Sequence, residues 1–527
     1  MKTKTLLAFL LFFISKISFA QITFQKTYGG AGEDYSNSVQ QTIDGGYIII
    51  GVTKSYGAGD ADVYLLKTDT VGTPIWTKTF GGISTDRGVS IQQTYEGGYI
   101  IVGTTWSYGT GGADVNLIRT DVNGNLLWTK TYGGADTEEA FCVRQTTDGG
   151  YIITGATYSF SFGYNDVYLI KTDSLGDTLW TKTFGGTGAE YASSLQQTTD
   201  GGYIITGYTR IIGGYFDVYL IKTNSSGDTL WTKAIGGTNH DIGFSIQQTT
   251  DGGYIITGQT MSFGVNGDVY LIKTDANGSL LWTKAFGGTN GEFGRSVVQT
   301  KDGGYVIAGS TSFGAGLFDF YLIKTNSIGD TLWTKAFGGI LNDQGYSVQQ
   351  TSDGGFIIIG STTSFGSGDE DLYLIKTDSL GNSGCNEGVT ATITTTPATL
   401  LTSPATIISS GGIVTTPSIF VGSGATVTTL CATVGINPTP APSALGGEGV
   451  AIAPNPFHSS ATLTIDNNLF NNNLTLSIFN VEGKILHKQQ VTSHQTIIER
   501  NGLADGLYFY KLAENGIVKS VGKLLVE

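Results

Sequence analysis

Apolar and polar residues alternate in short runs along most of this chain, and the runs return in a fixed order. SVQQT (38–42) leads to a Gly-rich turn, then YIIIG (47–51), a variable loop, DVYLLKT (62–68), a second turn, and IWTKTFGG (75–82). Period-two alternation rich in Val, Ile, Thr and Tyr predicts a strand for each piece, and the Gly and Asp clusters between them predict turns. The unit recurs at Asp44, Glu96, Asp148, Asp200, Asp251, Asp302 and Asp353, with spacings of 52, 52, 52, 51, 51 and 51 residues. Seven units of four short strands predict an all-β fold, a seven-bladed β-propeller over residues 21–385.

The outer strand of each unit opens on a tryptophan: Trp76, Trp128, Trp180, Trp231, Trp282 and Trp333, each 20 residues before the next turn mark. Phe24 stands 20 residues before Asp44, whereas the seventh unit reaches Cys385 without a tryptophan. The strand following residue 20 is therefore expected to complete the last blade, leaving no sheet unpaired at the seam. Pro74 fits an outer edge, where a missing N–H is tolerated.

What recurs in every unit reads first as scaffold. Four residues after each double glycine stands an acid: Asp34, Asp86, Glu138, Glu190, Asp241, Glu292 and Asp343. They are expected to ring the channel mouth, either capping loop amides or offering a cation or sugar site; sevenfold recurrence favours capping. A second acid, Asp62 in the first unit, and a glutamine, Gln41, also recur and suggest ladders between blades. The TDxxG turns offer too few oxygens at alternate positions for a calcium loop, so no metal is expected. Departures from the repeat are the better site candidates. The loop between second and third strands carries every length change and many aromatics, and Trp106, Tyr164, Arg210 and Phe216 depart most from its shared Ser-aromatic-Gly core.

Composition changes the picture at the ends. Residues 1–20 read as a secretory signal peptide, with Lys2 and Lys4 before LLAFLLFFI and Ser18-Phe19-Ala20 as the cleavage site. No later stretch is long and apolar enough to be a transmembrane segment. A net charge of −14 argues against nucleic acid as a partner. Cys385 and Cys431 flank one segment and are free to pair in an oxidising compartment; Cys142 takes a position where other units carry Ser and is expected to be a buried thiol. Residues 386–446 are Thr-, Ser-, Ala- and Pro-rich, first extended and then linker-like.

From residue 447 to 527 the strings IAPNPFHSSATLTIDN, SIFNVEGK, GLADGLYFYKL and VGKLLVE alternate as a small β-sandwich. Pro454-Asn455-Pro456-Phe457, Gly506-Leu507-Tyr508 and Gly522-Lys523 resemble the C-terminal sorting domain of cargo of the Bacteroidota type IX secretion system. The resemblance implies handling by that secretion machinery, after passage through the periplasm, with release or display at the cell surface. KTDSLGDTLWTK (171–182) is similar to quinoprotein-type propellers and the double glycines to kelch repeats. A quinoprotein enzyme would hold a pyrroloquinoline, but no vicinal cysteines or cation ligands accompany the repeat, so no cofactor is expected. With His240 the one histidine of the ring, nucleophilic and zinc chemistry have little to work with. The expected function is a non-enzymatic surface module binding glycan or protein. A carbohydrate-active hydrolase or lyase, or a structural surface component, are the alternatives.

Overall fold

The computed structural model describes residues 21–527 except 211–213, 315, 389, 391, 398–399, 403–406, 410–412, 416–419, 423, 425, 434–449, 454–458, 466–473, 481–483, 501, 515–516 and 527. The signal-peptide reading of 1–20 and the Pro454–Phe457 motif lie outside these residues. The chain divides into two units, residues 1–435 and 436–527.

Seven antiparallel sheets build the first unit. In the first blade the strands run Asp34–Gln41, Tyr47–Thr53, Asp62–Thr68 and Pro74–Gly81, from channel to rim. The two middle strands are buried along their whole length, which explains why YIIIGVT and DVYLLKT read as nearly continuous apolar runs. The core lies between blades: Ile48, Ile50, Val63 and Phe80 pack against Ile91, Tyr99 and Ile101 of the next sheet.

The seam is closed by Thr23–Gly29, which pairs with Asp371–Thr377 as the fourth strand of the last blade. Phe24 takes the place of the repeat tryptophan. It meets Tyr47 edge-on at 6.1 Å, as Trp76 meets Tyr99 at 6.0 Å. Gly72, at φ +76°, lies under Phe24 as Gly124, at φ +74°, lies under Trp76; a Cβ on either would fall 2.6–2.7 Å from the ring.

Each blade also carries a fifth strand, which the four-strand reading of the repeat did not contain. Glu387–Gly388 adds to the sixth blade, Ile393–Thr395 to the fifth, Leu400–Thr402 to the fourth and Ile407–Ser409 to the third. Ile413–Thr415 adds to the second, Phe420–Gly422 to the first, and Thr426–Thr433 pairs with Thr23–Gly29 of the seventh. The segment thus circles the whole rim against the order of the blades. A disulfide between Cys385 and Cys431 joins its beginning to its end.

The second unit is two sheets, of three and four strands, around Leu463, Leu476, Ile478, Tyr510 and Leu512. Gly506 opens the strand Gly506–Glu514 at φ +150°, and the Tyr508 hydroxyl donates to Ala504 O at 2.8 Å. Gly522 and Lys523 lie in the terminal strand, opposite Tyr510 and Phe509.

Candidate functional site

The first strand of each blade lines the channel, so its side chains decide what each end can do. Toward the Asp-Gly-Gly turns the channel opens a cavity of about 470 Å³. Its wall is nearly uniform: Gln40, Gln92, Gln196, Gln247 and Gln349, with Arg144 and Val298 in the two remaining blades. These glutamines serve the scaffold. Gln40 Oε1 accepts the Gln93 N–H at 2.6 Å, and Gln349 Oε1 accepts the Gln41 N–H at 2.6 Å across the seam. The neighbouring glutamines form a second ladder, as in Ser352 N–H to Gln41 Oε1 at 2.8 Å.

The turns themselves are fixed by ion pairs. Asp44 meets the buried Lys67 at 3.0 Å, and the pattern repeats through Lys376–Asp353 at 2.9 Å. Where the second blade has Glu96 in place of Asp, Arg119 replaces Lys and the pair survives at 3.3 Å. Burial pushes Asp200 upward, but the Thr198 hydroxyl, Lys222 and the Gly202 N–H outweigh it and hold the carboxyl at about 2.

At the opposite end the recurrent acids are not open to the channel. Asp34, Asp86, Glu138, Glu190, Asp241, Glu292 and Asp343 are all buried. Each accepts the N–H of the second glycine before it, at 2.7–3.2 Å. Ser55, Ser107, Ser262 and Ser364 donate hydroxyls to the aspartates, whereas Thr157 and Thr209 serve Glu138 and Glu190. Buried and bonded in this way at the start of the innermost strands, the carboxylates cap loop amides and present no open face to a cation or sugar. Beside them lies the second acid of the repeat. Burial raises Asp62 to about 6, against the Ala58 N–H and with the Asp86 charge adding. Burial likewise raises Glu292 to about 7, with Asp268 adding.

Symmetry breaks just past each buried acid. The next residue is Tyr35, Arg87, Glu139, Tyr191, Ile242, Phe293 or Gln344, and two further on it is Asn37, Val89, Phe141, Ser193, Phe244, Arg295 or Tyr346. All except Arg87, which is exposed, are half-buried. Arg295 lies over Phe244 at 4.3 Å and Phe293 at 5.4 Å. Tyr191 stacks on Tyr208 at 4.9 Å and its hydroxyl meets that of Tyr158 at 2.6 Å. Electrostatic interactions link Arg87 with Glu139 and Tyr35, Tyr208 with Glu139 and Arg295, and Tyr346 with Arg295 and Tyr35. That circuit runs round the mouth through blades on every side.

Of the loop residues singled out by sequence, two join this circuit. Trp106, 38% exposed, sits 5.1 Å from the Arg87 guanidinium. Phe216 meets Tyr208 edge-on at 5.0 Å and donates its N–H to His240 Nδ1 at 3.1 Å. Tyr164 is 73% exposed, bonded through its own N–H to Gly188 O. Arg210 is exposed and donates from Nε to Gly214 O at 3.1 Å. The shared Ser-aromatic-Gly core packs instead: the Tyr56 hydroxyl donates to Gly29 O at 2.8 Å, and Phe365 meets Tyr373 at 5.6 Å. Arg87, Glu139, Tyr191, Tyr208, Arg295 and Tyr346 were missed by the sequence reading. Blade-to-blade variation within the first strand, and near the end of the second for Tyr208, was the signal that could have found them.

Among the described residues no group of three or more His, Cys, Asp or Glu side chains is placed to hold a metal ion. Among the described residues no helix is long and apolar enough to cross a membrane.

Residues 451–527 match the secretion system C-terminal sorting domain. The domain directs export through the type IX secretion system to the cell surface or the medium. No curated protein sequence matches the chain. Among solved structures the chain is similar to Sqt1 from Chaetomium thermophilum, at 14% identity and a TM-score of 0.38, covering 63% of this chain and 81% of that one. It is similar to PorZ, a surface component of the type IX secretion system of Porphyromonas gingivalis, at 13% identity and a TM-score of 0.37, covering 92% of this chain and 58% of that one. It is also similar to the extracellular domain of a two-component system from B. thetaiotaomicron, at 9% identity and a TM-score of 0.40, covering 94% of this chain and 56% of that one.

Proposed function

We propose that this chain is an exported, non-enzymatic binding module whose ring grips a glycan or protein at the loop-face mouth of its channel. One observation carries the reading. The recurrent acids, glutamines and lysines satisfy one another in blade after blade, while aromatics and arginines that differ between blades converge at that single mouth. Residues freed from scaffold duty at one concave place are what ligand recognition needs. Residues 1–20 serve in this reading as the leader that precedes sorting. A screen of the full chain on a glycan array, repeated with Trp106→Ala and Tyr191→Phe, tests it. Binding that weakens in these variants supports the mouth, and unchanged binding moves the site elsewhere.

One observation favours the hydrolase alternative. Burial raises the pKa of Glu139, against the pull of Arg87, in the manner of a general acid. Release of reducing ends from any array-positive glycan, abolished by Glu139→Gln, would establish it; intact glycan after prolonged incubation would dismiss it.

A further inference from the structure

Arg295 is the least compensated cation of the mouth. It is half-buried, makes no salt bridge among the described residues, and lies 4.3 Å from the Phe244 ring and 5.4 Å from the Phe293 ring. Burial lowers its pKa, with Tyr346 and Tyr208 the groups that oppose this and no carboxylate among them. A partly desolvated guanidinium is costly unless its donors are paired. Stacking engages only the flat face of the ion; the N–H donors project from its edge, in the plane, and stay available. Two phenylalanines from adjacent blades therefore hold the guanidinium, and no hydrogen bond among the described residues engages its donor fork. Such a fork matches a carboxylate in geometry as well as charge.

What surrounds the fork selects the rest of the ligand. Tyr346 and Tyr208 interact electrostatically with Arg295, and across the mouth the partly exposed Trp106 sits 5.1 Å from the Arg87 guanidinium. An exposed indole such as Trp106 favours the C–H face of a pyranose ring, and the half-buried phenols of Tyr208 and Tyr346 add amphipathic surface. A peptide finds less here, because inward N–H groups of the first strands are taken by the neighbouring blade, as Val297 N–H by Ser245 Oγ at 3.2 Å and Val348 N–H by Ser296 Oγ at 3.2 Å.

We propose that the loop-face mouth is a site for an acidic sugar, with Arg295 receiving the carboxylate and Trp106 stacking on a sugar ring. This rests on the binding reading given above and narrows it to a ligand class.

The test is calorimetric titration of the full chain with oligogalacturonate, oligoalginate, hyaluronan oligosaccharides and sialyllactose. Each is paired with a neutral counterpart, and polyglutamate serves as a non-sugar polyanion. At least one acidic sugar is expected to bind over its neutral partner, and Arg295→Gln to weaken that binding roughly 10- to 100-fold, the value of a charge-assisted hydrogen bond. Arg295→Lys keeps the charge but not the fork and is expected to recover only part of the loss. If Arg295→Gln melts early, Arg295→Lys and the rim variant Trp106→Ala carry the test. Equal binding of acidic and neutral sugars overturns the acidic class and leaves the binding reading intact. Preference for polyglutamate overturns the sugar. No binding of any acidic sugar overturns the proposal, and a blank glycan array as well would remove the glycan half of the broader reading while leaving a protein ligand.

Discussion

A methyl group on Gly81 would lie 1.7 Å from Asp62 Oδ1 and 2.8 Å from Asp86 Oδ2. The glycine is thus the space in which two buried carboxyls from adjacent blades meet. Oδ1 of each has no hydrogen-bond partner, which in a low-dielectric junction favours a neutral acid. Asp62 is raised from its usual 3.8 to about 6, so between those values the folded chain holds a proton that the unfolded chain has lost. Stability then falls as pH rises through that window. Asp114, Asp166, Asp217 and Asp268 are also raised to about 6 and add to the effect. The turn acids work in the other direction: Asp200, held near 2, contributes above 3.8 and is lost in strong acid. Thermal stability is expected to peak between about pH 4 and 5. Asp62→Asn should raise the melting temperature at pH 7–8 and lose that advantage below pH 4, as scanning calorimetry across pH would show. A wild-type melting temperature that climbs steadily to pH 8 would contradict it. Gly81→Ala should destabilise by about 1–3 kcal/mol in urea unfolding, since the carboxylates have no room to move apart.

At the scale of elements, the rim segment is held by short pairings and one covalent link. Closing a loop of 46 residues restricts the unfolded chain by about 4 kcal/mol in the chain-entropy account. Reduction, or Cys385→Ser with Cys431→Ser, should lower the unfolding free energy by up to that amount, read from denaturant midpoints with and without reductant. No change would mean that the rim strands do not unfold with the ring. The four-strand blade was legible because its strands span seven or eight residues and alternate clearly. The rim strands were not, because most are two or three residues long and gain order only from the edge they join. A hint was present: Ile393, Leu400, Ile407, Ile413 and Phe420 open successive strands at six- or seven-residue intervals. The alternation read as extended chain, but nothing in strands this short says which edge each one joins. The mouth was hidden for a related reason. Arg87 and Arg295 interrupt strands whose other positions repeat, so they look like noise in a pattern rather than a pattern of their own.

For the whole molecule, two units have two tasks: a ring with a variable mouth, and a sandwich that marks the chain for export. Removing 436–527 should leave the cooperative melt of the ring unchanged while the protein accumulates in the periplasm, as cell fractionation would show. Loss of the ring's melt would instead make the sandwich part of its fold. The circuit of the rim segment has a further consequence for assembly. Thr23–Gly29 is flanked by Asp371–Thr377 on one side and Thr426–Thr433 on the other. The earliest strand of the ring must therefore wait, with both edges bare, until nearly the whole ring-forming stretch has been made. Only then does Cys431 reach Cys385, so the thiol pair locks a finished hoop like a buckle and cannot close an unfinished one.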